Sequence, residues 1–310
     1  MKRALIATLF NEVDNVSHWW EALMRQTVLP DEIAIVDGGS TDGTWEKLQA
    51  LARQAPVPVK LKQQRCNIAG GRNLAIRMTD AEIIAANDAG SFPDKDWFGE
   101  ITRPLVENPT LDVVGGRSEN LYENVFQKFA GQFEAAPAKP ASSAEIYPSS
   151  RNVAFRRQAW TEVGGYPEWL TLTAEDALFN FGLHKLGKQF FFNPAAIVHW
   201  PVRGTARAYF KMYYNYGYGA AEARLYGTNY LRHWLITVFP PLLLLSRHRF
   251  GHLKFRYQKN AASALGWLAG RIKGHHAPEN WQAVDGVILS PEALAHLPPK
   301  AGPVGGNPVR

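Results

Sequence analysis

Residues 33–44 read Ile-Ala-Ile-Val-Asp-Gly-Gly-Ser-Thr-Asp-Gly-Thr, so a short apolar strand turns directly into an acidic, glycine-rich loop. Residues 83–90, Ile-Ile-Ala-Ala-Asn-Asp-Ala-Gly, repeat this design. The two strands thus end on Asp37 and Asp88, and the first strand of the chain ends on Asn11-Glu12. Ligands of open α/β sheets bind at the carboxyl ends of the strands. The three strand ends together predict a ligand site there, although each acid alone is equally compatible with ordinary turn chemistry.

The first hundred residues alternate apolar strands with segments of helical spacing. Such alternation predicts an α/β fold, with a mostly parallel central sheet flanked by helices. The predicted strands cover residues 4–10, 32–36, 57–61, 82–87, 113–116, 152–155, 189–192 and 195–199. The predicted helices cover residues 16–24, 44–52, 95–107 and 174–186, and a further helix opens at residue 69.

Three segments of the chain differ in composition. Residues 1–204 form the predicted α/β domain, and residues 205–276 form a C-terminal helical extension of amphipathic character. Residues 277–310 form a Pro/Gly-rich tail, whose end is expected to be disordered. A mobile loop is predicted around residues 135–144, which are rich in Ala, Pro and Ser.

The composition is that of a globular protein. Of the 310 residues, 46% are hydrophobic and 20% are charged, which excludes a disordered chain. The net charge of +6 suits anionic partners such as phosphates. No Lys/Arg run interleaved with aromatic residues occurs, so no nucleic-acid partner is predicted. The single cysteine, Cys66, excludes an internal disulfide.

No segment of the sequence has the length of a membrane span. The apolar stretch at the N-terminus is too short for a signal peptide. The longest uncharged apolar run, residues 234–246, has thirteen residues, whereas a span needs about 20. A cytoplasmic protein is therefore expected. Aromatic and basic residues around this run, within residues 205–250, suit an anionic membrane surface at the inner face of the membrane, and packing on the α/β domain is the alternative.

Seven short stretches carry recognisable patterns in a fixed order over about residues 3–200. They are residues 8–12, 36–44, 67–73, 87–90, 151–157, 164–168 and the pair Glu175-Asp176. Together they resemble family 2 glycosyltransferases of the GT-A fold. The resemblance implies an inverting glycosyltransferase of the hexosyltransferase type. Such an enzyme moves a sugar from a nucleotide-diphosphate donor to a hydroxyl of a saccharide or lipid-linked acceptor, in cell-surface polysaccharide or glycolipid synthesis.

The same resemblance implies roles for individual residues. Asp176 matches the general base, and Glu175 contacts the acceptor or supports the base. His199 matches a metal ligand or diphosphate contact and is expected to act with Asp88. The residues expected to bind the nucleotide sugar are Thr8, Asn11, Glu12, Asp37, Arg72, Asp88 and Arg203.

One position departs from the family pattern. The Asp-x-Asp element becomes Asp88-Ala89-Gly90, so glycine replaces the second acid. Divalent Mn²⁺ or Mg²⁺ is expected nonetheless, because such an ion can bind through few carboxylates when phosphate oxygens and water complete its shell. Stabilisation of the leaving group by arginines, with Arg72, Arg203 and Arg207 as candidates, is the alternative.

Each site residue also has a structural interpretation. Thr173-Ala174-Glu175-Asp176 resembles a helix-capping pattern, so Asp176 is compatible with a purely structural role. His199 lies between Val198 and Trp200 and is compatible with a buried core histidine. Arg203 and Arg207 are compatible with solvated surface charges.

Two other functions remain open at this point. A nucleotidyltransferase would carry a Gly-rich, basic loop after strand one, where this chain has Asn11-Glu12-Val13-Asp14. A nucleotide-sugar-binding scaffold without turnover would explain the missing acid at Gly90. The retained Glu175-Asp176 pair argues against the scaffold.

Overall fold

The computed structural model describes residues 1–132, 146–245 and 253–298, with the side chains of residues 243–245 left out. The mobile loop predicted at residues 135–144 and the end of the predicted tail lie outside these ranges. So do two of the basic residues next to the apolar run, Arg247 and Arg249.

A single mixed sheet forms the centre of the described structure. Its strand order is β3-β2-β1-β4-β7-β6-β8-β5. The strands are β1 (Arg3–Leu9), β2 (Glu32–Asp37), β3 (Val59–Gln63), β4 (Ile83–Ala86), β5 (Phe92–Pro93), β6 (Val113–Leu121), β7 (Val153–Arg156) and β8 (Phe190–Pro201). Neighbours β3, β2, β1 and β4 are parallel, as are β6 and β8, whereas β7 and the edge strand β5 run antiparallel to their neighbours. The predicted α/β fold with a mostly parallel sheet is therefore confirmed.

Helices cover both faces of this sheet. They are α1 (Val16–Met24), α2 (Thr44–Ala52), α3 (Ile68–Arg77), α4 (Trp97–Glu107), α5 (Val125–Gly131), α6 (Arg157–Glu162) and α7 (Glu175–Lys185). Successive strand residues point to opposite faces, so Leu5 packs in one apolar core with Trp19 and Trp97, whereas Ile6 packs in the other with Phe179. Burial on both faces explains the unbroken apolar runs of β1, β2 and β4.

Two strands are longer than the sequence predicts. The strands predicted at residues 189–192 and 195–199 are one strand, β8, and β6 extends beyond residue 116 to Leu121. The pairing of β6 with β8 jumps from Gly116↔Asn193 to Arg117↔Ile197, so β8 bulges at this point. The bulge interrupts the alternating pattern and hides the continuity of the strand in the sequence.

The C-terminal extension is helical, as predicted. Its elements are α8 (Ala206–Glu222), α9 (Gly227–Val238), a 3₁₀ helix (Pro240–Leu245) and α10 (Leu253–Lys273). Helices α8 and α10 pack at backbone contact, because a Cβ on Gly217 or Gly266 would collide with the main chain of the other helix. Buried Tyr209 and Tyr213 on α8 pack into a core of their own. Among the described helices, none has the length and apolarity needed to cross a membrane.

Part of the predicted tail has regular structure. Strands β9 (Gln282–Val284) and β10 (Val287–Leu289) form a hairpin, and α11 (Pro291–Ala295) follows. Ile288 and Leu289 are buried in the core that α7 shares. The connecting turn is Asp285-Gly286 with positive φ at both residues, the usual signature of a two-residue hairpin. This signal was present in the sequence within the segment predicted to be a tail.

Candidate active site

Two adjoining cavities lie at the carboxyl ends of the parallel strands. The strand-end cavity, of about 280 Å³, is bounded by the loops after β1, β2 and β4. The helix-side cavity, of about 380 Å³, lies between the start of α7 and the helices α8 and α9. The side chains common to both are Ile68, Asp88, Arg151 and Tyr216. The two cavities therefore form one continuous site with two compartments.

The loops after β1 and β2 are tied together by hydrogen bonds. Asn11, with a φ of 54°, donates its backbone N–H to Ser40 Oγ (2.8 Å) and accepts from the Thr41 N–H (3.0 Å). Thr8 and Glu12 line the strand-end cavity, whereas Asn11 is absent from its lining. Burial raises the pKa of Glu12, although the Asn15 amide opposes this effect. Thr8 and Glu12 are thus the predicted residues of these loops that reach the cavity.

Asp37 shapes the wall of the site. Its Oδ1 accepts hydrogen bonds from the backbone N–H groups of Gly39 (2.9 Å) and Ser40 (2.8 Å) and from Gln63 Nε2 (3.1 Å). Its Oδ2 is buried without a partner among the described residues. Asp37 is fully buried, and Gly38, not Asp37, lines the cavity. Asp37, which was predicted to contact the nucleotide, therefore lies beneath the wall of the strand-end cavity.

Arg72 is a buried bridge between two acids. Its Nη2 donates to Asp88 Oδ1 (2.8 Å), and its Nη1 donates to Glu175 Oε1 (2.5 Å). Only 3% of the Arg72 side chain is exposed, and its guanidinium lies 5.5 Å from the centre of the Tyr166 ring. A buried charge needs paired partners, which both carboxylates supply. Arg72, which was predicted to contact the diphosphate, thus belongs to a buried ion-pair network with these two acids.

Glu175 and Asp176 open α7 but differ in environment. Glu175 is buried, and burial together with the neighbouring Asp176 carboxylate raises its pKa, against the opposing effect of Arg72. Asp176 lines the helix-side cavity, and its Oδ1 accepts from the Ala177 N–H (2.8 Å). Glu175 lines the same cavity but is paired with Arg72, so the half-buried Asp176 is the more accessible acid of the two.

Thr173 does not cap α7 as the sequence pattern suggests, although Asp176 does accept an N–H of the first turn. The residue before α7 is Ala174, with a φ of 76° and no side-chain cap. Thr173, the expected cap, donates its hydroxyl to the backbone oxygen of Asn215 on α8 (2.8 Å). The start of α7 is thus fixed by contacts with α8 and leaves Asp176 directed at the cavity.

His199 contacts two other acids, Asp94 and Glu119. Its Nε2 is 3.0 Å from Asp94 Oδ1, and its Nδ1 is 3.7 Å from Glu119 Oε2. His199 lines neither cavity. Within the described parts of the chain, no three His, Cys, Asp or Glu side chains are grouped to hold a metal ion. The Asp88–His199 metal pair, which needs the donor's diphosphate to complete it, stays a prediction.

Gly90 leaves room in the strand-end cavity. A Cβ at this position would meet no atom within 4 Å. Of the usual Asp-x-Asp carboxylates only Asp88 is present, and Arg72 already binds it. This donor set fits a divalent ion held by one carboxylate, with ligand phosphates and water supplying its other contacts.

Several residues that line the site were not predicted from the sequence. Arg151 lines both cavities, and its guanidinium lies 3.9 Å from the centre of the Trp200 ring. Arg203, which was predicted, lies 5.9 Å from the same ring and lines the strand-end cavity. Tyr216, Tyr226 and Tyr230 line the helix-side cavity. The Arg151-Asn152 motif and the tyrosine-rich helix marked these segments, but no local pattern pairs Arg151 with Trp200.

Comparison with known proteins places these features in a family. The sequence pattern of Glycosyl transferase family 2 matches residues 5–166, and that of Glycosyl transferase family group 2 matches residues 86–266. The chain is 26% identical over 233 residues to the O-antigen chain rhamnosyltransferase RfbN of Salmonella typhimurium, covering 70% of this chain and 72% of RfbN. It is 25% identical over 241 residues to the succinoglycan biosynthesis protein ExoA of Rhizobium meliloti, covering 74% and 70%.

A solved structure shares the fold. The mannosyltransferase PcManGT from Pyrobaculum calidifontis, in complex with GDP-Man and Mn²⁺, superposes with a TM-score of 0.65 at 18% identity. The match covers 87% of this chain and 86% of PcManGT. At this identity, the likeness concerns the architecture alone, and it supports the GT-A type.

Proposed function

The chain belongs to glycosyl transferase family 2, and from this premise we propose that it transfers a sugar from a nucleoside diphosphate donor to a hydroxyl of a saccharide acceptor. One observation carries the proposal: the two cavities meet at Asp88 and Arg151. A donor in the strand-end cavity and an acceptor in the helix-side cavity would bring their reacting atoms together there.

We assign the nucleotide of the donor to the strand-end cavity. Thr8 and Glu12 are the direct contacts, because their side chains line it. Asn11 and Asp37 act indirectly by holding the two loops that form its wall. Arg72 acts indirectly as well, because it fixes Asp88 and Glu175.

We assign the role of general base to Asp176. Its carboxylate accepts the proton of the acceptor hydroxyl while that oxygen bonds to the anomeric carbon, and the bond from this carbon to the diphosphate oxygen breaks. Attack from the side opposite the leaving group gives inversion of the anomeric centre. Glu175 is buried and bonded to Arg72, so it supports the loop and leaves the acceptor proton to Asp176.

A divalent ion would be held by Asp88. The PcManGT complex contains Mn²⁺, and one carboxylate with phosphate oxygens and water suffices for Mg²⁺ in many sites. Such an ion supplies positive charge to the departing diphosphate. His199 is not part of this proposal, because Asp94 and Glu119 surround it.

The acceptor is a saccharide of a polysaccharide or glycolipid. Tyr216, Tyr226 and Tyr230 wall the helix-side cavity, and their rings offer apolar faces with a polar edge to a sugar. RfbN and ExoA, by their names, act in O-antigen and succinoglycan synthesis. These relatives support an acceptor of this class.

We also propose attachment of the C-terminal helices to an anionic membrane surface on the cytoplasmic side. Large apolar side chains are exposed here, including Leu235 (54%), Val238 (66%) and Ile272 (71%). Arg232 on α9 and Lys273 on α10, the helices that carry these side chains, are exposed as well. Apolar and basic side chains on one surface suit the boundary of an anionic bilayer.

The function is tested with a panel of UDP-, GDP- and dTDP-sugars. Thermal shift identifies the donor, and donor hydrolysis and transfer to oligosaccharides measure turnover. NMR of the product gives the anomeric configuration. Donor binding without hydrolysis or transfer would favour the nucleotide-sugar-binding scaffold. Release of pyrophosphate from a nucleoside triphosphate would favour the nucleotidyltransferase, which family membership already argues against.

A further inference from the structure

The guanidinium of Arg151 is held in place by two contacts that leave some of its N–H donors without an acceptor among the described residues. Its Nε donates to Ser149 Oγ (3.1 Å), and its plane lies over Trp200. Within the described ranges, neither arrangement supplies a carboxylate partner. The N–H groups of Nη1 and Nη2 therefore remain for a ligand, since a guanidinium carries five donors in a fixed fork.

Two arginines, Arg151 and Arg203, contact the ring of Trp200 at one wall of the strand-end cavity. The Arg203 guanidinium lies 5.9 Å from the same ring and, like Arg151, lines the cavity. Stacking on an aromatic face holds an arginine without using its N–H donors. Two cations held in this way face the cavity that Glu12 and Asp88 also line.

The charge balance of the cavity favours an anion. The acids that line it are Glu12 and Asp88. Burial raises the pKa of Glu12, and buried Arg72 pairs with Asp88. The missing acid at Gly90 removes a further negative charge. Arg72, Arg151 and Arg203 thus bring three positive charges to the two carboxylates Glu12 and Asp88. Glu12 interacts electrostatically with Arg203, which leaves Arg151 as the cation of this compartment without a carboxylate partner among the described residues.

We propose that Arg151 and Arg203 bind the diphosphate of the donor and stabilise it as leaving group, with Arg151 as the principal contact. The inference rests on the proposed glycosyl transfer. When the bond between the anomeric carbon and the diphosphate oxygen breaks, its electron pair stays on that oxygen. Bidentate guanidinium donors suit phosphate oxygens and stabilise the charge that develops. Arg151 lies at the junction of the two cavities, where this bond must break.

Calorimetry in excess EDTA tests this site without metal. UDP, GDP and dTDP are titrated against the full chain, and the corresponding nucleosides serve as phosphate-free probes. Arg151→Ala should weaken binding of the preferred diphosphate by about 10- to 100-fold, the usual effect of losing hydrogen bonds to a charged group. Arg203→Ala should have a smaller effect, and nucleoside affinity should stay unchanged in both variants.

Arg207→Ala is the matched control. Arg207 is exposed on α8, four residues after Arg203 in the sequence, and lines neither cavity, so its removal should leave diphosphate affinity unchanged. Arg151→Lys provides a second variant that keeps the charge but loses the planar fork, and it should bind the diphosphate more weakly than the native chain. Circular dichroism confirms that each variant is folded.

Two results would overturn the inference while leaving glycosyl transfer intact. One is native diphosphate affinity in a folded Arg151→Ala variant. The other is an equal loss of nucleoside and diphosphate affinity, which would mean that Arg151 only shapes the pocket. If the native chain binds none of the three diphosphates, both the proposed function and this inference are wrong.

Discussion

Glu222 on α8 accepts two hydrogen bonds from Thr171, one from its backbone N–H (3.0 Å) and one from its hydroxyl (2.9 Å). The same buried carboxylate accepts from the His275 N–H (2.8 Å) at the end of α10. The loop that leads into α7 and Asp176 is therefore anchored to the C-terminal helices. The helical extension thus supports the candidate active site.

Glu222→Ala should lower both stability and turnover. The Thr171 and His275 N–H groups would lose their acceptor, and the loss of a hydrogen bond costs about 0.5–1.5 kcal/mol. Thermal unfolding measures the first effect, and kcat at saturating donor measures the second. Thr171→Val removes one of the three hydrogen bonds and should give a smaller loss of both. Unchanged kcat in a folded Glu222→Ala variant would contradict the anchoring role.

Asp176→Asn should abolish transfer and leave donor binding within a few fold. An amide keeps the shape of the side chain but cannot accept the hydroxyl proton at neutral pH. The checks are kcat for transfer and calorimetry with the donor. Near-normal turnover would remove Asp176 from the role of base.

Arg72→Met should destabilise the fold more than Arg151→Ala. Removal of Arg72 leaves Asp88 and Glu175 facing each other without their shared cation, and breaking a buried ion pair costs about 3–5 kcal/mol. Among the described residues, Arg151 has no ion-pair partner. Denaturant unfolding of both variants measures the difference, and equal stability would contradict the bridging role of Arg72.

Mn²⁺ or Mg²⁺ should raise activity, and Asp88→Ala should remove most of this response. Gly90→Asp should strengthen metal binding, because the added carboxylate would enter open space beside Asp88. Calorimetry with Mn²⁺ and donor measures the affinity. Full activity of the native chain in excess EDTA would show that the arginines suffice.

Anionic liposomes should bind the protein reversibly. Each basic residue near such a surface contributes about 1 kcal/mol, and salt screens this attraction. Co-sedimentation should therefore be partial at low salt and lost at high salt. Leu235→Ser/Val238→Ser should reduce it, whereas exposed Val106→Ser on α4, outside the helical extension, should not. Absence of sedimentation at any salt would mean that this surface serves another contact.

Local sequence patterns predicted the strand ends but not the contacts between residues that are far apart in the sequence. Asp37 and Asp88 follow apolar strands directly, so the sequence places them at the carboxyl edge of the sheet. The partner of Arg72, Glu175, is 103 residues away. Only the folded chain reveals that Arg72 is a buried bridge.

The contacts of His199 were not predicted for the same reason, because they too join residues that are far apart in the sequence. Its position depends on the pairing of β8 with the two-residue strand β5, which sets Phe92 opposite His199. A strand that short leaves almost no periodic signal in the sequence. The neighbours of His199, Asp94 and Glu119, were therefore not foreseeable from local spacing.

The backbone of Ala174 limits how this enzyme can diverge. Its φ of 76° is costly for a residue with a Cβ, by about 1–2 kcal/mol. Glycine and asparagine tolerate this conformation, whereas valine, isoleucine and threonine do not. A library that randomises the acceptor side of the cavity should therefore hold position 174 to alanine, glycine or asparagine, and place its diversity at the neighbouring Leu172.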